Sequence, residues 1–279
     1  MRYHIASLVA VFLALAVGII LGTVIVDKGV LVDQQKAMVE RLEKDFERLR
    51  TENATLNSEL RKRDQYVKES LFSLIKDKLT GQNVIIIATS PTDGSIMRSI
   101  QEAIRRAGAS EATISLNLPL KLEEKTIQEK LSPHIQQIQG STIQEKVLKR
   151  LADYCSSAPG DNKILVDFAS AGLVSVNSLP QAQPTAALIV GGSDGGDSSR
   201  EIDAVLIERL KANKVRVVGV EPKSRKLSYM GLYQRLGIPT VDNVDEEIGL
   251  LSTVLALAGA DGNFGAKSTA NKLMPAIPQ

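Results

Sequence analysis

A glycine-rich loop is the segment whose residue types come closest to a ligand site. It contains Gly191, Gly192, Ser193, Asp194 and Asp197, between the apolar run ALIV and a stretch that predicts a helix. Glycines before a helix N-terminus can hold an anion with backbone N–H groups. The loop lacks the G-x-G-x-x-G and G-x-x-x-x-G-K-[ST] spacings and a clamping lysine. Because aspartates also serve as helix caps and turn residues, the loop is compatible with a ligand site or a structural turn.

Side chains that could bind a metal or act as a nucleophile are few and far apart. The chain has two histidines, one cysteine and five methionines, with no CxxC, HxH, HExxH or MxxM spacing. His134 also lacks a G-x-S-x-G partner motif. A soft Cu(I) site would need residues that converge from distant segments or from several copies. We therefore predict a protein that is not an enzyme, without an identifiable catalytic residue, cofactor or metal ligand.

The composition argues against several other classes of protein. Lys and Arg total 34 against 32 Asp and Glu, so no basic excess points to nucleic acid as a partner. Aromatic residues make up only 4% of the chain, which argues against base-stacking surfaces. The single cysteine excludes a disulfide framework within one chain. The hydrophobic share of 43% is nevertheless ample for a packed core.

The N-terminal segment predicts a single membrane-spanning helix. Twenty-two residues from Ile5 to Val26 carry no charge, and a helix of that length reaches roughly 33 Å, enough for a hydrocarbon core of about 30 Å. A cleaved signal peptide, whose apolar region is only about 7–15 residues, and a buried soluble helix are the alternatives. Arg2 and the amino terminus favour a cytoplasmic N-terminus, with the C-terminal body outside the cell membrane.

Small residues recur every four positions inside this predicted span. Ala14, Gly18 and Gly22 would lie on one face of the helix, where they permit close approach of a second helix. Glycine and alanine are also common in membrane helices that do not pair. We therefore predict helix packing through these three residues; the alternative is that they reflect only the usual composition of membrane helices.

A heptad pattern follows the span. With Val32 at position a, the a and d positions between residues 39 and 60 form a predicted coiled-coil seam. The seam consists of Val39, Leu42, Phe46, Leu49, Asn53, Leu56 and Leu60. β-branched residues at a, leucines at d and a single asparagine at a favour two parallel strands, so we expect a homodimer. A trimer is not excluded, because Phe46, Arg63 and Ser70 do not set the strand number, and one amphipathic helix packed on its own domain is the other alternative.

After Gly81 the pattern predicts a doubly wound, mostly parallel α/β domain of the Rossmann-like kind. Short apolar runs predict strands at Asn83–Ala88, Ala112–Leu118, Lys163–Phe168, Ala186–Val190, Val215–Val220 and Thr240–Val241. Amphipathic stretches predict helices at Ser95–Ala107, Thr126–Leu131, Thr142–Cys155, Ser198–Ala212, Ser224–Leu236 and Glu246–Ala258. The predicted parts are an anchor (1–30), a coiled coil (31–80), the α/β domain (81–262) and an irregular tail (263–279).

Two sequence marks resemble a known family. The chain opens with Arg2, Tyr3 and His4 before a G-x-x-L-G run at Gly18 and Gly22, and it closes with VDNVD and LALAGADGNFG. These marks and the order of the parts resemble the copper transporter MctB family of mycobacteria and other Gram-positive bacteria, over nearly the whole chain. The resemblance implies a role in limiting copper accumulation, and for corynebacterial members a role in cell separation with a partner protein. It implies no particular metal ligand in this sequence.

Two functions therefore remain as expectations. The first is copper homeostasis or export across the cell envelope, which the resemblance implies. Because a single helix encloses no pore, transport would need several copies of the chain. The second is a non-enzymatic coiled-coil scaffold or regulator of the envelope, which presents its α/β head to a partner such as a division protein.

Overall fold

The computed structural model describes residues 2–160, 162–195 and 199–277. The chain divides into two compact units, Met1–Gln65 and Tyr66–Gln279. The first unit is helical throughout its described residues and belongs to helix α1, which runs from Arg2 to Ile75. No glycine or proline occurs between residues 31 and 79, so nothing in that part of the sequence interrupts the helix.

The second unit is an α/β domain built on one sheet. Its strands are β1 (Asn83–Ala88), β2 (Ser110–Leu116), β3 (Val174–Ser178), β4 (Ala186–Val190), β5 (Arg216–Val220), β6 (Thr240–Val241) and β7 (Asn263–Phe264). The helices after α1 are α2 (Gly94–Arg106), α3 (Glu124–Thr126), α4 (Ser132–Ile135), α5 (Ile143–Tyr154), α6 (Lys163–Ser170), α7 (Arg200–Ala212), α8 (Met230–Arg235) and α9 (Glu247–Leu257), with a π-helical segment at Ile127–Leu131 between α3 and α4.

The sheet is mostly parallel. In the part of the chain that the structure describes, seven strands lie in the order β3-β2-β1-β4-β5-β6-β7. Neighbouring strands are parallel except for β2 and β3, which pair antiparallel at one edge. The chain moves outward from β1 to β2, and β4 then lies on the other side of β1. The carboxyl ends of β1 and β4 therefore meet where the winding direction changes, the place where open α/β sheets bind ligands.

Hydrophobic cores lie on both faces of the sheet. Alternate residues of β1 point to opposite sides, so that Ile85 and Ile87 join one cluster while Val84 and Ile86 join the other. Helices α5, α6, α7 and α8 contribute to the first cluster, and α2, α9 and the end of α1 contribute to the second. Strands buried on both faces explain the continuous apolar runs VIII and ALIV. The prediction of an α/β domain with a mostly parallel sheet is confirmed.

The predicted strand at Lys163–Phe168 is wrong, because this segment forms helix α6. Ile164, Leu165 and Phe168 are buried, whereas Val166 between them is 63% exposed. Counted from Ile164, burial at positions i, i+1 and i+4 is the pattern of one helix face, whereas a strand would bury alternate residues. The apolar letters of KILVDF do not by themselves separate the two periods.

Other boundaries also differ from the predictions. The edge strand β3 was missed, since VSVNS is short and half polar. The helix predicted over Ser224–Leu236 is confined to α8, because the backbone at Leu227 forms a β-bridge with Ser193. The tail after Gly262 is not irregular throughout, since Asn263 and Phe264 form β7 beside β6.

A close contact between β5 and α8 yields a test of the packing. A Cβ at Gly219 would overlap the Tyr233 ring, which is fully buried and cannot move aside. We expect Gly219→Ala to lower the free energy of unfolding of the α/β domain by about 1–3 kcal/mol, the usual cost of overpacking. Thermal unfolding of the full-length chain in detergent, followed by circular dichroism, measures this loss.

Gly231→Ala is the matched control within α8. A Cβ there would meet only the end of the Arg235 side chain, at 3.8 Å, and alanine has the higher helix propensity. Its melting temperature should equal or slightly exceed that of the wild type. Equal melting temperatures for the two variants would contradict the packing described here.

Candidate functional site

Helix α1 begins with an apolar segment. Residues Tyr3–Thr23 are long and apolar enough to cross a membrane, and no residue of this segment is buried by the chain itself. Ala14, Gly18 and Gly22 follow one another at intervals of four residues and therefore share a helix face. A Cβ at Gly18 or Gly22 would meet no atom within 4 Å, so this face is open to a second helix.

The predicted seam residues lie exposed along the next part of α1. We call Val39, Leu42, Phe46, Leu49, Asn53, Leu56 and Leu60 the heptad stripe. The exposed fraction of its apolar side chains lies between 50% for Leu42 and 62% for Phe46. The Asn53 carbonyl accepts a 2.8 Å bond from the Asn57 amide on the same helix. Exposed large apolar side chains in a continuous stripe are typical of a surface that binds a partner.

The glycine-rich loop after β4 meets the loop after β1 at the carboxyl edge of the sheet. The Thr89 N–H donates to the Val190 carbonyl over 3.0 Å, and the Ser90 hydroxyl donates to the Gly192 carbonyl. Gly191 continues the pairing, since its N–H donates to Val220 over 2.9 Å. The ends of β1, β4 and β5 are thus joined where a ligand would approach such a sheet.

Arg225 occupies the space between these loops. Its guanidinium forms a 2.6 Å ion pair with Asp194 and donates to the Pro91 carbonyl, and its side chain is only 8% exposed. Gly192 has a φ of +79°, and a Cβ there would come within 2.8 Å of the Arg225 side chain. Ser193 is held by backbone hydrogen bonds of 2.8 and 2.9 Å to Leu227. The described loop residues therefore contact the chain itself, while Asp197 lies outside the described residues.

A buried carboxylate lies next to this loop. Glu221, fully buried at the end of β5, accepts a 2.6 Å hydrogen bond from the Lys267 ammonium. Its other oxygen accepts the Tyr229 N–H over 2.9 Å. Asp242, at the end of β6, accepts the N–H groups of Ala266 and Lys267 over 2.7 and 3.0 Å. These bonds fasten the segment after β7 to the carboxyl edge of the sheet.

A second buried acid lies under the glycine loop. Burial raises the pKa of Asp203 from 3.8 to about 7, although hydrogen bonds from Thr89 and Tyr233 partly oppose this shift. The Tyr233 hydroxyl donates to Asp203, and a Cβ at Gly191 would overlap that hydroxyl. The same burial and the neighbouring carboxyl raise the pKa of Tyr233. This pair therefore explains why a glycine stands at position 191.

A cleft of about 620 Å³ opens between the ends of β1 and β2. Ser90, Thr92, Asn117 and Asn177 line it together with the exposed Arg98. Both polar ends of the Asn117 amide are already used, since it donates to Gly172 and accepts from Ser175. Met97, Leu116 and Leu118 also line the cleft, and no carboxylate among the described residues does, so its lining is mixed and includes one cation, Arg98.

Candidate metal ligands form no cluster among the described residues. Across residues 2–160, 162–195 and 199–277, no group of three or more His, Cys, Asp or Glu side chains could hold a metal ion. Cys155 is fully buried, and burial raises the pKa of its thiol. His134 is paired at 2.6 Å with Asp167. Both side chains are thus largely enclosed by the head.

Sequence reasoning missed Arg225, Glu221, Lys267 and Asp203. Glu221 and Asp242 directly follow parallel strands, so their position at the carboxyl edge of the sheet was a usable signal. Arg225 and Lys267 lie in irregular segments, where no periodicity marks them.

These features define a class: an α/β domain on a long helix that begins with an apolar, membrane-length segment. The comparisons with known proteins give the family. The family model described as "Copper transport outer membrane protein, MctB" matches residues 1–275, and the chain belongs to this family. The mark VDNVD contains Asp242, which accepts the backbone N–H groups of Ala266 and Lys267 directly after the mark LALAGADGNFG.

Curated relatives share part of the chain. The copper transporter MctB of Mycobacterium tuberculosis (strain ATCC 25618 / H37Rv) is 29% identical over 117 residues, which is 42% of this chain. The copper transporter MctB of Mycobacterium bovis (strain ATCC BAA-935 / AF2122/97) aligns with the same identity and coverage. The aligned region spans 37% of the length of these relatives.

The Glu221–Lys267 ion pair predicts a large effect of one substitution. Lys267→Met leaves a fully buried carboxylate without its cation, and breaking a buried pair in this way costs about 3–5 kcal/mol. We expect the variant to melt at a markedly lower temperature than Lys272→Met, which alters an exposed lysine in the same C-terminal segment. Adding Glu221→Gln to Lys267→Met removes the stranded charge and should recover part of the loss. Equal melting of the two lysine variants would contradict the pair's role.

The raised pKa of Asp203 predicts how stability depends on pH. Between pH 3.8 and about 7 the folded chain keeps a proton on Asp203 that the unfolded chain releases. The free energy of unfolding should therefore fall as the pH rises through this window. Asp203→Asn removes the titrating group and should flatten this fall in urea titrations at pH 5 and pH 7.5. Glu208→Gln, on the exposed side of α7, is the control; a wild-type slope in Asp203→Asn would refute the assignment.

Proposed function

We propose that this chain is a single-pass membrane protein that limits copper accumulation in the cell, through export across the cell envelope, and acts as a parallel homodimer. The family match over residues 1–275 supports the copper role, because the matched region includes the apolar segment, the heptad stripe and the α/β head. The N-terminus is proposed to lie in the cytoplasm and the head outside the cell membrane, as the charges before the apolar segment favour.

The heptad stripe supports the homodimer. Burial of a leucine side chain contributes about 1.5–3 kcal/mol, and Leu42, Leu49 and Leu56 are each at least half exposed in the single chain. In a parallel pair the two Asn53 side chains lie level with each other and fix the register. Asp45 at position g would face Arg50 at position e of the second copy, an attractive pair.

The membrane segment supports the same arrangement. Two parallel helices could approach closely along Ala14, Gly18 and Gly22, whose face is open in the single chain. A helix pair encloses no pore, and residues 5–26 supply no charged side chain to line one. We propose that copper crosses along a path that several copies of the chain or a further protein complete.

The head is proposed to be non-enzymatic and doubly wound. The helices on both faces of the mostly parallel sheet support that classification. At its carboxyl edge, Arg225 and Lys267 are engaged in ion pairs with Asp194 and Glu221. The head would then act by presenting a surface rather than by chemistry.

One observation favours a second function, that of an envelope scaffold or regulator, for example in cell separation. Neither the uncharged membrane segment nor the described part of the head offers copper a gathered set of ligands. A dimeric coiled coil that presents two heads to a partner protein needs neither. Metal content and cell morphology separate the two functions.

The proposal predicts which substitutions abolish function. Leu42→Asn, Leu49→Asn and Leu56→Asn together place amides in the seam and should split the dimer. The control carries Lys44→Asn, Thr51→Asn and Ser58→Asn at the outward f positions of the same turns. The measurement is cell-associated copper under copper challenge, in a deletion strain that carries each version of the gene.

We expect copper to rise on deletion, to fall with the wild type or the control, and to stay high with the seam variant. Equal copper in all strains would reject the copper role, and cell-chain formation corrected by the wild type and control alone would then favour the scaffold. A seam variant that is monomeric and restores wild-type copper would reject the need for a dimer.

A further inference from the structure

An apolar groove lies where the end of α1 packs on the head. Leu71 forms its floor, and Ile248, Leu251 and Met274 contribute its walls, with a cavity volume of about 210 Å³. We call these four residues the groove. The carboxylate of Glu247, in the first turn of α9, lies at its rim. All these residues belong to the second unit.

Tyr66 borders the groove but does not fill it. Its side chain is 72% exposed, although it is one of the residues that border the cavity. Leu74, two turns further along α1, is also exposed, whereas Leu71 and Ile75 are buried against the head. One side of the end of α1 thus packs on its own domain, and the other side is exposed.

The heptad count assigns Tyr66 and Leu71 to the positions that flank the seam. Counting from Val32 at a places Tyr66 at g, Val67 at a and Leu71 at e. In a parallel two-stranded coil, a g residue faces the e residue five positions later on the other helix. Tyr66 of one copy therefore faces Leu71 of the other, which is the floor of that copy's groove.

We propose that Tyr66 of each copy inserts into the groove of the second copy and locks the two heads together. The inference rests on the proposed parallel dimer. The apolar walls suit the phenol ring, and the Glu247 carboxylate suits its hydroxyl, because a tyrosine is buried best with an apolar body and a hydrogen-bonded tip. The site is reciprocal, since each copy both donates a tyrosine and supplies a groove.

This lock would join the two heads at the last turns of α1. The d positions on either side of Tyr66 are polar, Arg63 and Ser70, so the seam itself supplies little apolar burial there. Tyr66, which is exposed in the single chain, would supply it on entering the groove. The lock thus transmits the pairing of the two helices to the two heads.

The test uses full-length chains in membranes, with two differently tagged copies expressed together. One copy carries Tyr66→Cys, the other carries Ile248→Cys, and a short bismaleimide joins thiols that lie close together. Heterodimers are purified through both tags, so that only the contact between copies is scored. The native Cys155 is fully buried and serves as the unreactive background. Lys62→Cys, at the outward position c one turn earlier, replaces Tyr66→Cys in the control pair.

We expect the Tyr66–Ile248 pair to cross-link at least tenfold more than the Lys62–Ile248 pair. Equal cross-linking of the two pairs, or none, overturns the lock. Leu49→Cys in both copies, at position d, reports the coil separately. Cross-linking at residue 49 without the Tyr66–Ile248 product would reject the lock and keep the dimer, whereas failure of both would reject the dimer as well.

Discussion

The last turns of α1 have two different sides. One side packs on the sheet, because a mostly parallel sheet must be covered on both faces. Leu71 and Ile75 are buried and help to form the core on the α2 and α9 side of the sheet. Burial of two such side chains contributes about 1.5–3 kcal/mol each. The opposite side of the same turns keeps the heptad pattern, with Tyr66 and Leu74 exposed. Because the core fixes these turns of α1, a partner that binds Tyr66 and Leu74 would be connected to the head through this helix.

The carboxyl edge of the sheet shows how the family's sequence marks act physically. Asp242 binds the backbone of the segment that follows β7, and Lys267 from that segment neutralises the buried Glu221. Arg225 joins the loops after β1 and β4 in the same region. In this chain, ion pairs between its own residues occupy the edge at which such a sheet binds ligands. Asp242 of the mark VDNVD thus helps to close the domain.

Much of this architecture can be predicted from the sequence, because the continuous apolar runs at β1 and β4 are distinctive. The segment KILVDF misled the prediction, since its apolar residues fit a strand until burial shows helix α6. The glycine loop was found, but its closure by Arg225 was not, because the arginine lies 31 residues away in an irregular segment. Long-range ion pairs leave no local period, so only the folded chain shows them. The coiled-coil pairing stays a prediction.

The central claim is that two copies pair in parallel and in register along the heptad stripe. The most direct measurement is the distance between nitroxide labels in full-length chains in lipid vesicles, at Lys44→Cys, Thr51→Cys and Ser58→Cys in turn. These outward f positions leave the seam intact, and the buried Cys155 does not take up label. A parallel dimer places identical residues level, so all three sites should give the same short distance. Distances that differ among the three sites, or no coupling between labels, would contradict the account.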